Sequence, residues 1–102
     1  MGEKIKVIIK RPDEPVGHMT WIRDTLKNLQ THVGGYIETV TVSPNMTIIC
    51  NDDGCNIGLP YNCRLCGIDF VGTIIIAGVD GVNLTDVPIS FETYKKLLME
   101  VE

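Results

Sequence analysis

The sequence has 102 residues, a net charge of −4, 44% hydrophobic residues and 22% charged residues. This length predicts a single domain over residues 1–102 with one hydrophobic core. The negative charge argues against a protein held on nucleic acid by a phosphate-neutralising surface. No apolar run reaches the roughly 20 residues of a membrane span, and the charged N-terminus lacks a signal-peptide pattern. We therefore expect a cytoplasmic protein with reduced cysteines and with no membrane or nucleic-acid partner.

The N-terminal segments predict a hairpin. KIKVIIKR (4–11) is β-rich, and the prolines and glycine of PDEPVG (12–17) predict a turn. HMTWI (18–22) then returns as a second strand.

A helix and a strand follow. The segment from about residue 23 to Gly34–Gly35 predicts a helix, because glycine adopts the left-handed conformation that ends one. Its predicted apolar stripe is Ile22, Leu26, Leu29 and Val33. YIETVTV (36–42) alternates strictly, which is typical of a strand with one solvated face.

The middle of the chain predicts strands separated by loops. MTIIC (46–50) predicts a strand, and NDDG (51–54) predicts a hairpin turn because Asp-Gly tolerates positive φ. Residues 55–69 contain two glycines and a proline and predict mostly loop. FVGTIIIAGV (70–79) is apolar almost throughout, which is typical of a central strand covered on both faces. Residues 80–88 predict another loop.

The C-terminal segment predicts a second helix, capped by Ser90 and with Glu92 in its first turn. Its apolar stripe is Phe91, Tyr94, Leu97, Leu98 and Val101. Together, these elements predict an α+β fold: a mostly antiparallel sheet of about five strands with two helices packed on it.

Three segments resemble a known family: TLKNLQTHVGGYIETV, CNDDGCNIGLPYNCRLCGIDFVGTIIIAGVDG and DVPISFETYKKLL. The most specific part is the end of the first helix, at Leu29, Gln30, Val33, Gly34, Gly35, Tyr36, Ile37 and Glu38. The second comprises Asn51, Gly54, Leu59, Pro60, Asn62, Gly72 and Thr73. Over roughly residues 4 to 98, the chain resembles domain of unknown function family 3846, which is found in bacteriophages and bacteria, often Firmicutes, on mobile elements. The resemblance implies a shared fold and that genetic setting, and it implies no known enzymatic activity.

The four cysteines, Cys50, Cys55, Cys63 and Cys66, allow two interpretations. Four thiolates can complete a tetrahedral zinc shell. However, the first pair is CxxxxC and only seven residues separate the pairs, unlike the common zinc pattern. The other interpretation is small apolar side chains near a turn, and the resemblance does not require four cysteines. We expect no metal or cofactor, and we keep a zinc-stabilised four-cysteine interaction module as the alternative.

The candidate site consists of polar and aromatic residues, most of which recur in the resemblance. They are Gln30, Tyr36, Glu38, Asn51, Tyr61, Asn62 and Arg64. The loop residues could stack on a base or bind a phosphate or a partner carboxylate. In the alternative interpretation, Asn51 and Asn62 bond their own turns and Gln30 is solvated. The family commonly has a basic residue directly after Asn62, whereas here Cys63 follows and Arg64 comes next.

The sequence contains no phosphate loop, nucleophile elbow or HExxH motif. An enzyme would need Asp69 or Glu38 as its acid or base, and nothing around either residue supports that. We therefore expect a non-enzymatic binding protein of phage or mobile-element type. As an anti-defence factor, it would sequester a small nucleotide-type signal or a host protein. This function is compatible with a homo-oligomer, because small ligands are often held between symmetric subunits, but the sequence does not set the oligomeric state.

Overall fold

The computed structural model describes residues 3–99. Within them the chain forms eight strands and two helices. The strands are β1 (Lys4–Lys10), β2 (His18–Arg23), β3 (Ile37–Ser43), β4 (Met46–Asn51), β5 (Tyr61–Leu65), β6 (Ile68–Val71), β7 (Ile74–Asp80) and β8 (Asn83–Thr85). The helices are α1 (Leu26–Val33) and α2 (Phe91–Met99). None of the described helices is long and apolar enough to cross a membrane.

The main sheet has the strand order β2-β1-β7-β4-β3, and β8 pairs with β7. All of its pairs are antiparallel. Strands β5 and β6 form a separate antiparallel hairpin. The predicted α+β fold is confirmed. The main sheet has six strands, because β8 forms within a segment predicted to be loop and pairs with the end of β7.

Both faces of the main sheet are covered. We call one the hairpin face, because α2 and the β5–β6 hairpin pack there; its core includes Ile8, Ile48, Leu65, Phe70, Ile74, Ile76 and Tyr94. We call the other the α1 face; its core includes Val7, Ile9, Leu29, Val33, Ile49, Ile75 and Ala77. Strand β7 contributes buried residues to both clusters, which confirms a central strand and explains its apolar sequence.

The first helix is shorter than predicted. Thr25 caps it, with its Oγ1 accepting a hydrogen bond from the Asn28 N–H at 3.2 Å. Ile22 instead belongs to β2, and Leu26 is 59% exposed, so the predicted stripe is reduced to Leu29 and Val33. The predicted glycine end is confirmed, because Gly34 has φ +79° and donates its N–H to the Gln30 carbonyl.

The predictions for residues 51–79 were wrong in three places. Residues 51–54 do not close a hairpin, because β4 pairs with β3 and β7 and the chain continues through turns. The predicted loop contains β5 and the start of β6. The apolar run that follows is also two strands, because Gly72 adopts φ +71° and separates β6 from β7, which lie in different sheets.

The second helix agrees with its prediction. Ser90 Oγ accepts the Thr93 N–H at 3.1 Å, which confirms the cap. Tyr94 is fully buried, and its hydroxyl donates to the Val16 carbonyl at 2.7 Å. Val101, the last member of the predicted stripe, lies outside the described residues.

Candidate functional site

Hydrogen bonds of the Asn62 side chain connect the β5–β6 hairpin to the main sheet. Its Nδ2 donates to the carbonyls of Lys10, at 2.8 Å, and Gly72, at 2.7 Å. Its Oδ1 accepts a hydrogen bond from Lys10 Nζ at 2.8 Å. Lys10 is only 3% exposed, so this amide oxygen stabilises a buried ammonium group. The Asn62 side chain is therefore engaged in the fold rather than presented on the surface.

Asn51 joins the end of α1 to the turn after β4. Its Nδ2 donates to the Val33 carbonyl at 3.2 Å, and its Oδ1 accepts the Asp53 N–H at 2.8 Å. Gly35 leaves room for this amide, because a Cβ there would lie 2.8 Å from Asn51 Nδ2. The helix end and the asparagine turn, which carry much of the family resemblance, therefore meet in space. These contacts favour a structural function for Asn51.

Tyr61, Arg64 and Asp69 form a hydrogen-bonded group on the outer face of the hairpin. The Tyr61 hydroxyl donates to Asp69 Oδ1 at 2.9 Å, and Arg64 Nη1 donates to Asp69 Oδ2 at 3.1 Å. Arg64 and Asp69 lie directly opposite each other in the β5–β6 register. All three are exposed, and the hydrogen bond to Asp69 raises the pKa of Tyr61. The sequence prediction omitted Asp69 from the binding residues, because this pairing depends on a hairpin that was not predicted.

An acidic cleft of about 220 Å³ lies beside this group. It is bounded by β3, the end of β4, the turns after β4, and β6. Its carboxylates are Glu38, Asp52, Asp53 and Asp69, and its apolar lining includes Val40, Ile68, Phe70 and Val71. Burial, followed by Glu38 and Asp52, raises the pKa of the neighbouring Cys50 to about 11. Arg64 pairs with Asp69, and the other three carboxylates make this cleft unfavourable for a phosphate and favourable for a cation.

The remaining predicted residues do not converge on one place. Tyr36, directly before β3, is 74% exposed, and Glu38 lines the acidic cleft. Gln30 lies on α1, which covers the opposite face of the sheet. The structure thus joins Tyr61 and Arg64 through Asp69, which lines the same cleft as Glu38, and it places Gln30 elsewhere.

The four cysteines differ in their surroundings. Cys50 and Cys63 are buried in the hairpin-face core, and Cys55 and Cys66 are exposed. Burial also raises the pKa of Cys63. Cys66 occupies the hairpin turn with φ +53°, so the CxxC spacing arises from one strand residue and one turn residue. Among residues 3–99, no group of three or more histidine, cysteine or acidic residues could hold a metal ion.

The comparisons with known proteins identify a family. No curated protein and no solved structure matches the chain. The model of a family described as Domain of unknown function (DUF3846) matches residues 5–99, nearly the whole sequence. The chain therefore belongs to the DUF3846 family.

Proposed function

We propose that this chain is a non-enzymatic binding protein of phage or mobile-element type, which acts by holding a host protein. The partner surface consists of the outer face of the β5–β6 hairpin and the adjoining acidic cleft. Stoichiometric binding of a host defence component would make it an anti-defence factor. One observation carries this proposal: the exposed group of Tyr61, Arg64 and Asp69.

The Tyr61–Arg64–Asp69 group suits a protein partner because its side chains are exposed and already ordered. Tyr61 is 58% exposed while its hydroxyl bonds Asp69. Tyrosine and arginine are enriched among the residues that dominate protein–protein binding energy. Side chains fixed before binding lose less conformational entropy when the complex forms, which favours affinity.

The charge of the acidic cleft favours a host protein over a nucleotide signal, the two targets expected from the sequence. The carboxylates of Glu38, Asp52 and Asp53 would repel the phosphates of a nucleotide signal and attract a lysine or arginine of a partner protein. Its apolar lining, including Ile68 and Phe70, can cover the aliphatic part of such a side chain. We therefore assign this surface to a host protein that presents a basic residue.

The test compares Tyr61→Ala and Ile68→Ser with a matched control, Val82→Ser. Val82 is 97% exposed in the turn between β7 and β8 and belongs to neither the hairpin nor the cleft. Proteins retained by the immobilised wild-type chain from host extract are identified and purified, and their Kd is measured by calorimetry. We expect Tyr61→Ala to weaken binding by about tenfold or more, and Val82→Ser to leave it unchanged.

Equal affinity of all three variants for the purified partner would refute the hairpin surface. Chemical conversion of the partner on mixing would refute the non-enzymatic proposal.

A further inference from the structure

Strand β3 forms one edge of the main sheet, and no other described strand pairs with its outer side. Its register with β4 is regular from Ile37 to Thr41 and shifts between Thr41 and Ser43. An edge strand presents unpaired backbone N–H and C=O groups, which natural proteins usually protect with lysine, proline or a covering element. The regular segment, IETVT, contains neither lysine nor proline and is rich in β-branched residues, so it suits the addition of another strand.

Two backbone hydrogen bonds determine which groups of β3 face outward. The Asp52 N–H donates to the Tyr36 carbonyl, in the register that joins β3 to β4. The Val79 N–H donates to the Asn45 carbonyl, in the register that joins β4 to β7. Because the bonding direction alternates along an antiparallel strand, the even-numbered residues of β4 bond β3 and its odd-numbered residues bond β7. The even-numbered residues of β3 therefore bond β4.

The outward groups of the regular segment are thus the N–H and C=O of Ile37, Thr39 and Thr41. Thr39 and Thr41 are exposed, and Ile37 is half-buried. Within residues 3–99, no backbone hydrogen bond from a turn or loop reaches these groups. They match the hydrogen bonds that alternate residues of an added antiparallel strand would make.

The acidic cleft lies beside this free edge. Glu38 and Val40 line the cleft, and their partners in the register of β4, Cys50 and Ile48, pack in the core of the hairpin face. Directly opposite residues of an antiparallel pair point to the same face, with their Cβ atoms about 5 Å apart. A residue of an added strand that lies opposite Glu38 would therefore face the acidic cleft.

The charge of the cleft decides between two kinds of added strand. Pairing with β3 of a second copy would place two acidic clefts side by side on one face of the joined sheet, which like charges disfavour. A strand with a lysine or arginine opposite Glu38 would instead place a cation among the carboxylates of Glu38, Asp52 and Asp53. Charge complementarity thus favours a basic segment of another protein.

We propose that an extended segment of the partner adds to the edge of β3 as an antiparallel strand, with a lysine or arginine opposite Glu38. Backbone hydrogen bonds to Ile37, Thr39 and Thr41 supply affinity, and the basic side chain in the cleft supplies specificity. This inference rests on the proposed function, because it assigns the basic residue of the host protein to a segment that pairs with β3.

The first experiment uses the full chain and the peptide Thr-Lys-Thr-Lys-Thr-Lys-Thr, acetylated and amidated at its ends. One analogue is N-methylated at the two inner threonines and a matched analogue at two lysines. With lysine opposite Glu38, only the threonine N–H groups point at β3, so threonine methylation should weaken binding at least about tenfold more than lysine methylation in calorimetry. Binding of the unmethylated peptide should protect the amide protons of Thr39 and Thr41 from exchange, and it should weaken as salt is raised.

The second experiment changes the edge itself. Thr39→Pro removes an outward N–H and keeps the bonds to β4, and proline is tolerated at such positions of edge strands. It should weaken binding of the peptide, and of the host protein retained by the wild-type chain, at least about tenfold. Glu38→Gln should also weaken peptide binding, whereas the control Asp80→Asn, at an exposed carboxylate at the end of β7, should not. Urea denaturation checks that each variant is folded.

Equal binding of the two methylated peptides, or unchanged exchange at Thr39 and Thr41, would overturn strand addition. Self-association of the wild-type chain that Thr39→Pro abolishes would overturn it in favour of a second copy. If Thr39→Pro retains the host protein and Tyr61→Ala loses it, the proposed function stands and strand addition fails. Retention of no host protein by the wild-type chain would count against the proposed function, and the peptide comparison would still decide strand addition.

Discussion

The contact between Lys10 and Asn62 is the most consequential single hydrogen bond in the structure. A buried charge is costly unless polar groups compensate it, and the Asn62 amide oxygen accepts from this ammonium at 2.8 Å. The same amide bonds the backbone of β1 and of the segment after β6. Sequence reasoning identified Asn62 as important but could not distinguish this structural function from ligand binding, because the partner is 52 residues away.

Asn62→Ala should lower the free energy of unfolding by about 3 kcal/mol, since it removes three hydrogen bonds and leaves the Lys10 ammonium without this acceptor. Urea denaturation measures the change. The matched control is Asn56→Ala, an exposed asparagine whose side chain bonds the Asp53 carboxylate at the surface; it should cost less than about 0.5 kcal/mol.

A second variant separates charge from packing. Lys10→Met/Asn62→Leu removes the buried cation together with its acceptor, so it should cost less than the sum of the two single substitutions. Additive costs would contradict a direct coupling between the ammonium and the amide.

The four thiols should divide into two classes. Cys55 and Cys66 are exposed and should react with Ellman's reagent at pH 8 within the mixing time. Cys50 and Cys63 are buried and have raised pKa values, so they should react only when the chain unfolds. Protection of all four thiols, reversed by a chelator, would instead support the zinc-stabilised module.

Cys50 should also make stability pH-dependent. Its pKa is 9.0 in the unfolded chain and about 11 in the folded chain, so the unfolded thiol ionises first as the pH rises. The contribution of this group is therefore fully present below pH 9 and is lost between pH 9 and pH 11, by about 1–2 kcal/mol. In urea denaturation across that range, the free energy of unfolding should fall less steeply with pH for Cys50→Ala than for the control Cys55→Ala.

At the scale of the elements, the sequence predicted the strands and helices that have a clear hydrophobic periodicity. The strands β1, β2, β3 and β4 and both helices were predicted within a few residues, because alternation and capping residues are local signals. The β5–β6 hairpin was missed, because Pro60 and Gly67 resemble loop signals even though Cys63, Leu65 and Phe70 lie in the core. Strand β8 is three residues long, too short for a periodic pattern.

Substitution by alanine should lower stability by different amounts at Gly34 and Gly78, because one glycine is constrained by its backbone conformation and the other by close neighbouring atoms. At Gly34, φ is +79° and the surrounding space is open, so Gly34→Ala should cost about 1 kcal/mol from backbone strain alone. At Gly78, a Cβ would collide with the Asp86 carbonyl and Thr85 Oγ1, so Gly78→Ala should cost about 3 kcal/mol by displacing the segment after β8. Equal shifts in urea midpoint would contradict this close approach.

At the scale of the whole molecule, charge is divided between the two edges of the main sheet. The acidic cleft lies by β3, whereas Lys4, Lys6 and Arg23 lie on β1 and β2, at the opposite end of the strand order. The net charge of −4 gave no indication of this division, because Lys4, Lys6 and Arg23 come together only through antiparallel pairing. Composition could therefore predict the average surface of the protein but not its local sites.

Stoichiometric binding of a host protein is the central claim, and native mass spectrometry tests it most directly. The complex retained by the wild-type chain from host extract is eluted without chelator, and its mass is measured. We predict the 11.3 kDa chain, alone or as a homo-oligomer, with an integral number of unmodified partner molecules, and loss of that complex for Tyr61→Ala. A chain that carries only a zinc ion, or a partner released in chemically altered form, would contradict the claim.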